Sequence, residues 1–280
     1  MKMKKFASVL LILSLTLLVL GACSGNDNLD DKPVADAKEK VIIATGPADG
    51  TYHLIGKDIA RVLVDSGIDA EVITTEGSMS NLKHLKSKDA HLAIVMKDAI
   101  DDDVKANLIV ELHPEVVQII ATEESNITSV SQLKGKRVAV GIKGSGIEDN
   151  ADEILDDYGL EYKDFDMKYM DADEAITLLK EGKLDAAFVT GNFPNKKITA
   201  LAKDKKIVVL PVGTDRVMDD LIGEGYIKHV IPAETYGNKK DVETLSVKNV
   251  LVAHTDVSDA MVKNIKAALE PKIKDILKKY

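Results

Sequence analysis

The chain has one cysteine, no tryptophan and few aromatic residues among its 280 positions. A single thiol excludes an intramolecular disulfide and any metal site built from several thiolates. Because aromatic residues make up 4% of the chain and apolar residues 45%, the core must consist mainly of aliphatic side chains. The length is sufficient for one large globular domain or two lobes. No apolar run after the first twenty residues is long enough to cross a membrane.

The lone cysteine, Cys23, stands at the end of an N-terminal leader. Three lysines among the first five residues precede an apolar stretch from Phe6 to Leu20, and the small residues Gly21 and Ala22 follow it, which is the order of a secretory signal peptide. Leu20-Gly21-Ala22-Cys23 resembles a lipobox, whose cysteine becomes the lipidated first residue. A short membrane anchor is the alternative, but this stretch is shorter than the roughly 20 residues that span a bilayer. We predict a signal peptide over residues 1–22, lipidation at Cys23 (palmitate) and attachment to the extracytoplasmic face of a bacterial cell membrane.

Removal of residues 1–22, which contain three lysines and no acidic residue, changes the formal charge from −9 to −12. Such an acidic surface argues against nucleic acid and anionic lipid as partners. Residues 23–40 are polar, charged and nearly free of large apolar side chains, so they cannot bury enough surface to offset the entropy of ordering. We predict that they form a flexible tether.

The rest of the sequence alternates short β-branched runs with segments of helical period, which predicts α/β layers around a parallel or mixed sheet. One helix is predicted from Tyr52 to Asp65, with Gly67 as the glycine that ends it. The predicted strands are Val41–Thr45, Ala70–Thr74, Leu92–Met96, Val116–Thr122, Arg137–Val140, Met167–Met170, Ala186–Thr190, Ile207–Pro211 and Val247–His254.

A weak internal repeat joins residues 80–95 to residues 174–189, which align without a gap at an offset of 94. In both copies a short helix with a Leu-Lys pair leads through a turn into an apolar strand. Chance is the alternative, because helix–turn–strand units resemble one another. Taken as a true repeat, the pattern predicts two lobes of similar α/β construction.

Glycine-containing turns between predicted strands and helices indicate a ligand site. They lie at residues 46–52, at Gly77-Ser78 and at residues 141–148. In open α/β sheets ligands bind beyond the carboxyl ends of the strands, where helix N-termini carry a partial positive charge. Three such helix starts predict an anionic ligand. Polar residues at strand ends, Lys97 and Asp98 in one lobe and residues 190–192 in the other, are candidates for the same cleft.

Alternatives remain for the individual positions. Ser145 serves either as a ligand contact or only as a helix cap, and Lys97 either neutralises a carboxylate or is solvated. Residues 141–146 match neither the dinucleotide-binding nor the P-loop pattern, the six histidines are scattered, and no nucleophile motif is present. We therefore predict no catalytic residue, no metal, no cofactor and no nucleic acid partner.

Blocks of sequence along the chain resemble one known family. They are Thr45-Gly46-x3-Gly50-Thr51-Tyr52, Glu76–Leu82, Leu92–Val95, Leu133–Gly141, Gly144–Gly146, Asp185–Gly191 and Leu245–Val252. From Val41 to about Ile273 the chain is similar to the TAXI solute-binding proteins, the TRAP-associated extracytoplasmic immunogenic receptors.

This resemblance implies an α/β fold of the periplasmic-binding-protein type II kind, with two lobes, two crossover segments and the ligand between the lobes. One lobe would be residues 41–121 plus 251–280 and the other residues 122–250. The implied role is capture of a small organic anion, such as glutamate or a C4–C5 dicarboxylate, for a TRAP membrane permease, by a monomer that is not an enzyme. The implied ligand contacts are Thr51, Tyr52, Ser78, Asn81, Lys97, Asp98, Gly144, Ser145, Gly146, Thr190, Gly191 and Asn192.

His53, Met96-Lys97 and Ile147 depart from the family's usual pattern, so the ligand can differ from the family's. Two other functions stay open. One is a binding protein of an ABC importer for phosphonates, sulfonates or thiamine precursors, and the other is a ligand-sensing lipoprotein without a role in transport.

Overall fold

The computed structural model describes residues 40–280, except residues 102, 214 and 224. The predicted signal peptide, Cys23 and all of the tether but Lys40 lie outside the described residues. The described residues belong to one compact unit.

Strands and helices alternate along the described part of the chain. The strands β1 to β10 are Val41–Ala44, Ala70–Ile73, Leu92–Met96, Ala106–Thr122, Arg137–Ala139, Asp166–Lys168, Ala186–Gly191, Ile207–Leu210, Ile227–Ile231 and Val242–His254. The helices α1 to α8 are Thr51–Asp65, Ser78–Ser87, Gly146–Asp157, Ala172–Lys180, Lys196–Asp204, Asp215–Gly223, Asp259–Leu269 and Ile273–Leu277. Short 3-10 helices occupy Glu123–Ser125, Val130–Leu133 and Tyr162–Asp164.

Helix α1 illustrates how the sequence pattern determines an element. Ile55, Ile59 and Leu63 recur at helical spacing, and all three are fully buried. The helix ends at Ser66, and Gly67 follows with a φ of 84°, a left-handed conformation that glycine adopts without steric cost. The predicted helix and its terminal glycine are confirmed.

The ten strands form one mixed sheet in the order β2-β1-β3-β10-β4-β7-β5-β6, with β8 beside β4 and β9 beside β10. Strand β1 runs parallel to β2 and β3, and β5 runs parallel to β6 and β7. The long strands β4 and β10 are antiparallel to each other and to β7 and β3, respectively. The predicted α/β class with a mixed sheet is confirmed.

The internal repeat has a structural counterpart in the two ends of the sheet. Helix α2 and strand β3 begin at residues 78 and 92, and α4 and β7 begin at residues 172 and 186, so both differences (172 − 78 and 186 − 92) are 94. From the edges inward, the strand orders β2-β1-β3 and β6-β5-β7 are also equivalent. The alignment in the sequence therefore corresponds to equivalent elements.

Two strands begin several residues before their predicted starts, and one strand was not predicted. Strand β4 begins at Ala106, ten residues before Val116, and contains Pro114 next to a register shift opposite Lys248 and Val250. Proline is tolerated in a strand at such a bulge. Strand β10 begins at Val242 rather than Val247, and its first residues pair with the unpredicted β9.

The division into lobes, residues 41–121 plus 251–280 and residues 122–250, stays a prediction. Strand β4 changes its partner at Val116, because residues 106–116 face β10 and residues 116–121 face β7. The predicted boundary after residue 121 falls at the end of β4, whose last residue is Thr122.

Candidate functional site

A cavity of about 530 Å³ lies at the carboxyl ends of β1, β3, β5 and β7. The first residues of five helices, α1 to α5, contribute to its lining. This is the position where open α/β sheets bind ligands, since the strand ends and the helix N-termini meet there. We call the helix starts the rim of the cavity.

Two of the five helix starts have no side-chain cap. Helices α1 and α2 begin after Gly50 and Gly77, and neither glycine can offer a side-chain oxygen to the first N–H groups. These N–H groups carry the positive end of the helix dipole and accept an anion readily. The cavity therefore meets uncapped helix ends on the side of α1 and α2.

The other three starts are capped by their own side chains. Ser145 accepts a hydrogen bond from the Glu148 N–H at 3.2 Å, and Asp171 accepts one from the Glu174 N–H at 2.8 Å. Asn195 caps α5 in the same way. Ser145 is thus a helix cap, as one of its two interpretations predicted, and it also lines the cavity.

Helices α2 and α3 pack against each other at their starts. The Ser80 N–H donates to the Gly144 carbonyl at 3.0 Å. A Cβ atom on Gly146 would lie 2.5 Å from Met96 Sδ and 2.9 Å from Ser78 Oγ, so only glycine fits this approach without displacing its neighbours. The resulting contact sets the distance between two sides of the rim.

Four buried strand residues form what we call the floor of the cavity: Met96, Glu115, Val189 and Thr190. Glu115 on β4 is the one charged member, and only 6% of its surface is exposed. Burial, and secondarily the charge of Asp98, raises the pKa of Glu115 to about 7, although the nearby Asn249 amide opposes this rise.

Tyr52 connects the rim to the floor. It lies in the first turn of α1, and its hydroxyl donates to Asn249 Oδ1 at 2.6 Å. Burial and the nearby Glu115 carboxylate raise the pKa of Tyr52 well above its ordinary value, so its hydroxyl stays protonated and remains a donor.

A buried polar network extends from the floor away from the cavity. Thr190 Oγ1 donates to Asn150 Oδ1 at 3.0 Å, and Asn150 Nδ2 donates to Asp98 Oδ2 at 2.9 Å and to the Tyr226 hydroxyl at 2.7 Å. Burial raises the pKa of Asp98 to about 6. Asp98 therefore belongs to the support of the floor and not to the lining.

Eight of the twelve predicted contact residues line the cavity together, in agreement with the predicted position of the cleft. They are Thr51, Tyr52, Ser78, Ser145, Gly146, Thr190, Gly191 and Asn192. Whether they contact a ligand stays a prediction.

The structure places the other four, Asn81, Lys97, Asp98 and Gly144, outside the lining. Asn81 is fully buried, and its amide donates to the carbonyls of Thr45 and Ile94, so it joins α2 to the sheet. Lys97 is exposed. Gly144 has its N–H bonded to Glu148 Oε2 and its carbonyl bonded to Ser80.

Of the departures from the family pattern, His53 lies away from the cavity, whereas Met96 and Ile147 line it. His53 Nδ1 lies 3.1 Å from Thr45 Oγ1. Met96 and Ile147 are lining residues and replace polar groups with apolar surface.

Sequence reasoning did not identify the charged residues of the lining. The acidic ones are Asp49, Glu76, Glu115, Asp171 and Asp173, and the basic ones are Lys196 and Lys197. Lys197 forms an ion pair with Asp173. The one sequence signal for Glu115 as a site residue was its position directly beside the apolar run of β4. Unlike an anion site built on basic side chains, the lining has an excess of carboxylates.

Among the described residues, no group of three or more histidine, cysteine, aspartate and glutamate side chains is arranged to hold a metal ion. Within the same residues, no helix is long and apolar enough to span a membrane.

The chain belongs to the NMT1-like family, whose model matches residues 43–277. Its fold is similar to that of PhnD1 from Prochlorococcus marinus in complex with methylphosphonate, at 13% identity and a TM-score of 0.57, over 86% of this chain and 90% of the other. The arginine-, lysine-, histidine-binding protein ArtJ from Geobacillus stearothermophilus matches at 16% identity and a TM-score of 0.54, over 86% and 95%.

The substrate-binding protein of an amino acid ABC transporter matches at 12% identity and a TM-score of 0.51, over 86% of this chain and 98% of that one. These similarities identify the fold as that of the type II periplasmic solute-binding proteins, as the sequence predicted.

Proposed function

We propose that this member of the NMT1-like family is an extracytoplasmic solute-binding protein that delivers a small organic solute to a membrane importer, and that it has no catalytic activity. The observation that carries the proposal is the cavity, where five helix starts and four strand ends meet. Its volume of about 530 Å³ is within the range of small-molecule sites. The predicted lipid at Cys23 would keep the receptor close to its permease.

Closure of two lobes around the solute is part of this proposal. The predicted lobes, residues 41–121 plus 251–280 and residues 122–250, contact each other through Ser80 and Gly144 and through Asp98 and Asn150. We propose that these bonds break when the lobes open about β4 and β10, since hinge motion of this kind is common around ligand clefts.

An ABC importer is the partner that we favour. The structural neighbours include a protein described as the substrate-binding protein of an amino acid ABC transporter. The resemblance of the sequence blocks to TAXI proteins favours a TRAP permease as the second candidate. Uptake of labelled solute separates the two, because an ABC importer stops when ATP is depleted, whereas a TRAP permease stops when the ion gradient is collapsed.

Native mass spectrometry of the full-length protein, purified from its own host, tests the binding function. We expect one small molecule per chain. Gly191 lines the cavity, and a Cβ atom at this position would have no other atom within 4 Å, so Gly191→Trp should fill the cavity and abolish binding. Gly223→Trp on α6, where a Cβ also meets no atom within 4 Å, is the matched control and should retain the molecule.

Retention of the molecule by Gly191→Trp would contradict the proposed site. If neither a copurifying molecule nor any compound in a broad screen of amino acids, dicarboxylates, phosphonates and sulfonates is bound, the proposed function is wrong. Binding without any uptake phenotype would identify a sensing lipoprotein instead of a transport receptor.

A further inference from the structure

Glu115 differs from every other charged residue of the cavity lining because it is buried. The other six, four carboxylates and two lysines, are exposed at the helix starts and the loops beside them. Glu115 lies on the central strand β4 with 6% of its surface exposed. Exposed charges interact mainly with water, whereas a buried carboxylate acts in a low-dielectric setting where its charge has a large effect.

Among the described residues, no lysine or arginine side chain forms an ion pair with this carboxylate. The nearest basic side chain is His113, whose Nε2 lies 3.9 Å from Glu115 Oε1. Burial lowers the pKa of His113, so its imidazole is neutral at pH 7, and neither ring nitrogen has a hydrogen-bond partner among the described residues. Asp98 adds a like charge nearby. Glu115 is therefore ionisable, buried and without a cation.

The surroundings of Glu115 offer its carboxyl group one polar partner. The Asn249 amide lies beside it and favours its ionised form, but Asn249 Nδ2 makes no hydrogen bond of full geometry among the described residues. The ionised carboxylate is therefore buried without a cation to balance its charge. Such a charge is costly, and buried charges in native proteins are paired unless a ligand or water completes them.

We propose that Glu115 binds a positively charged group of the solute, such as a protonated amine, and that the uncapped starts of α1 and α2 bind an anionic group of the same molecule. This inference rests on the proposed binding function. Tyr52 joins the two subsites, because it lies in the first turn of α1 and its hydroxyl bonds to Asn249 beside Glu115. The solute class is therefore an organic anion that carries an amine, and not a simple dicarboxylate.

Pairs of compounds that differ only in the amine test this assignment. Suitable pairs are L-glutamate and glutarate, 2-aminoethylphosphonate and ethylphosphonate, and taurine and ethanesulfonate, together with the molecule that copurifies. Affinities are measured by titration calorimetry with the full-length protein. We expect that the compound that binds carries an amine and that its partner without the amine binds at least tenfold more weakly.

Glu115→Gln removes the charge at nearly constant volume, and loss of one partner of a buried charge pair should weaken binding of the amine compound ~30-fold or more. Its partner without the amine should be unaffected or bind more tightly. Glu111→Gln is the matched control, because Glu111 lies on the same strand, is exposed and pairs with Lys248 at 3.2 Å. It should leave both affinities unchanged. Circular dichroism spectra identical to those of the unmodified protein verify folding.

Three outcomes would overturn the inference. Tight binding of a solute without a positive group, or an amine compound that Glu115→Gln binds as well as the unmodified protein does, contradicts the assignment of Glu115 while the binding function stands. If Glu115→Gln does not fold, Glu115→Asp, which keeps the charge on a shorter side chain, must still prefer the amine compound over its partner. Binding of no solute at all contradicts the proposed function, and this inference with it.

Discussion

The rim and the floor of the cavity differ in electrostatic character. The rim presents the N-terminal ends of helices, two of which, α1 and α2, have no side-chain cap, beside exposed carboxylates and lysines that are screened by water. The floor presents one buried carboxylate, Glu115. A dicarboxylate would be attracted to the uncapped helix starts and repelled by Glu115, whereas a cation would be repelled by the helix starts and attracted to Glu115. The prediction of an anionic ligand from the helix starts alone therefore describes only half of the site.

The largest expected effect concerns the floor in the absence of ligand. The pKa of Glu115 is raised from its ordinary value of 4.5 to about 7, so the folded state becomes less stable as the pH rises through this interval. Glu115→Gln removes this penalty and should be more stable than the unmodified protein by about 3 kcal/mol at pH 8, with almost no difference at pH 4. Urea unfolding at the two pH values measures the difference.

Glu111→Gln, on the exposed side of the same strand, should change the free energy of unfolding by less than about 0.5 kcal/mol at either pH. An equal effect of Glu115→Gln at pH 4 and pH 8 would mean that Glu115 is not a strained carboxylate. The floor would then carry no costly buried charge that distinguishes it from the rim.

The second expected effect concerns the distance between two parts of the rim. Gly146→Ala places a Cβ 2.5 Å from Met96 Sδ and 2.9 Å from Ser78 Oγ, so either these side chains or the starts of α2 and α3 must shift. Overpacking of this kind costs about 1–3 kcal/mol, and we expect a lower melting temperature and weaker solute binding. Gly223→Ala, whose Cβ meets no atom within 4 Å, should lower neither quantity. Unchanged binding by Gly146→Ala would show that the rim tolerates a different spacing.

The sequence predicted the rim better than it predicted the floor. Glycine turns after apolar strands are local signals, and eight of the predicted residues line one cavity. The end of a strand can be read from the sequence, but the direction of a side chain cannot. Lys97 and Asp98 follow β3, yet one is exposed and the other bonds to Asn150 behind the floor.

Glu115 was not predicted because the strand was predicted to begin at Val116, which leaves Glu115 in a loop, where a carboxylate is common. In the structure the strand continues back through Pro114. The bulge opposite Lys248 and Val250 allows this proline, and the bulge depends on pairing with β10, which lies more than 100 residues away in the sequence. Burial of Glu115 therefore follows from long-range pairing that no local pattern records.

The smallest expected effect on stability comes from adding a cap to the rim. Gly50 precedes α1 with a φ of −76° and a ψ of 155°, an extended conformation that suits a capping aspartate or asparagine. A Cβ here would lie 3.1 Å from the Pro47 carbonyl, a tight contact that offsets part of the gain. Gly50→Asp and Gly50→Asn should each raise the stability of the unliganded protein by no more than about 0.5 kcal/mol.

The effect of these caps on binding separates the contributions of the rim. Both variants occupy the N–H groups that we assign to the anionic end of the solute, so both should weaken its binding, and Gly50→Asp should weaken it more because it adds a like charge. Titration calorimetry with the compound identified above measures the two affinities. Equal affinity for Gly50→Asp and the unmodified protein would place the anionic group elsewhere, and the floor alone would then determine which solute is bound.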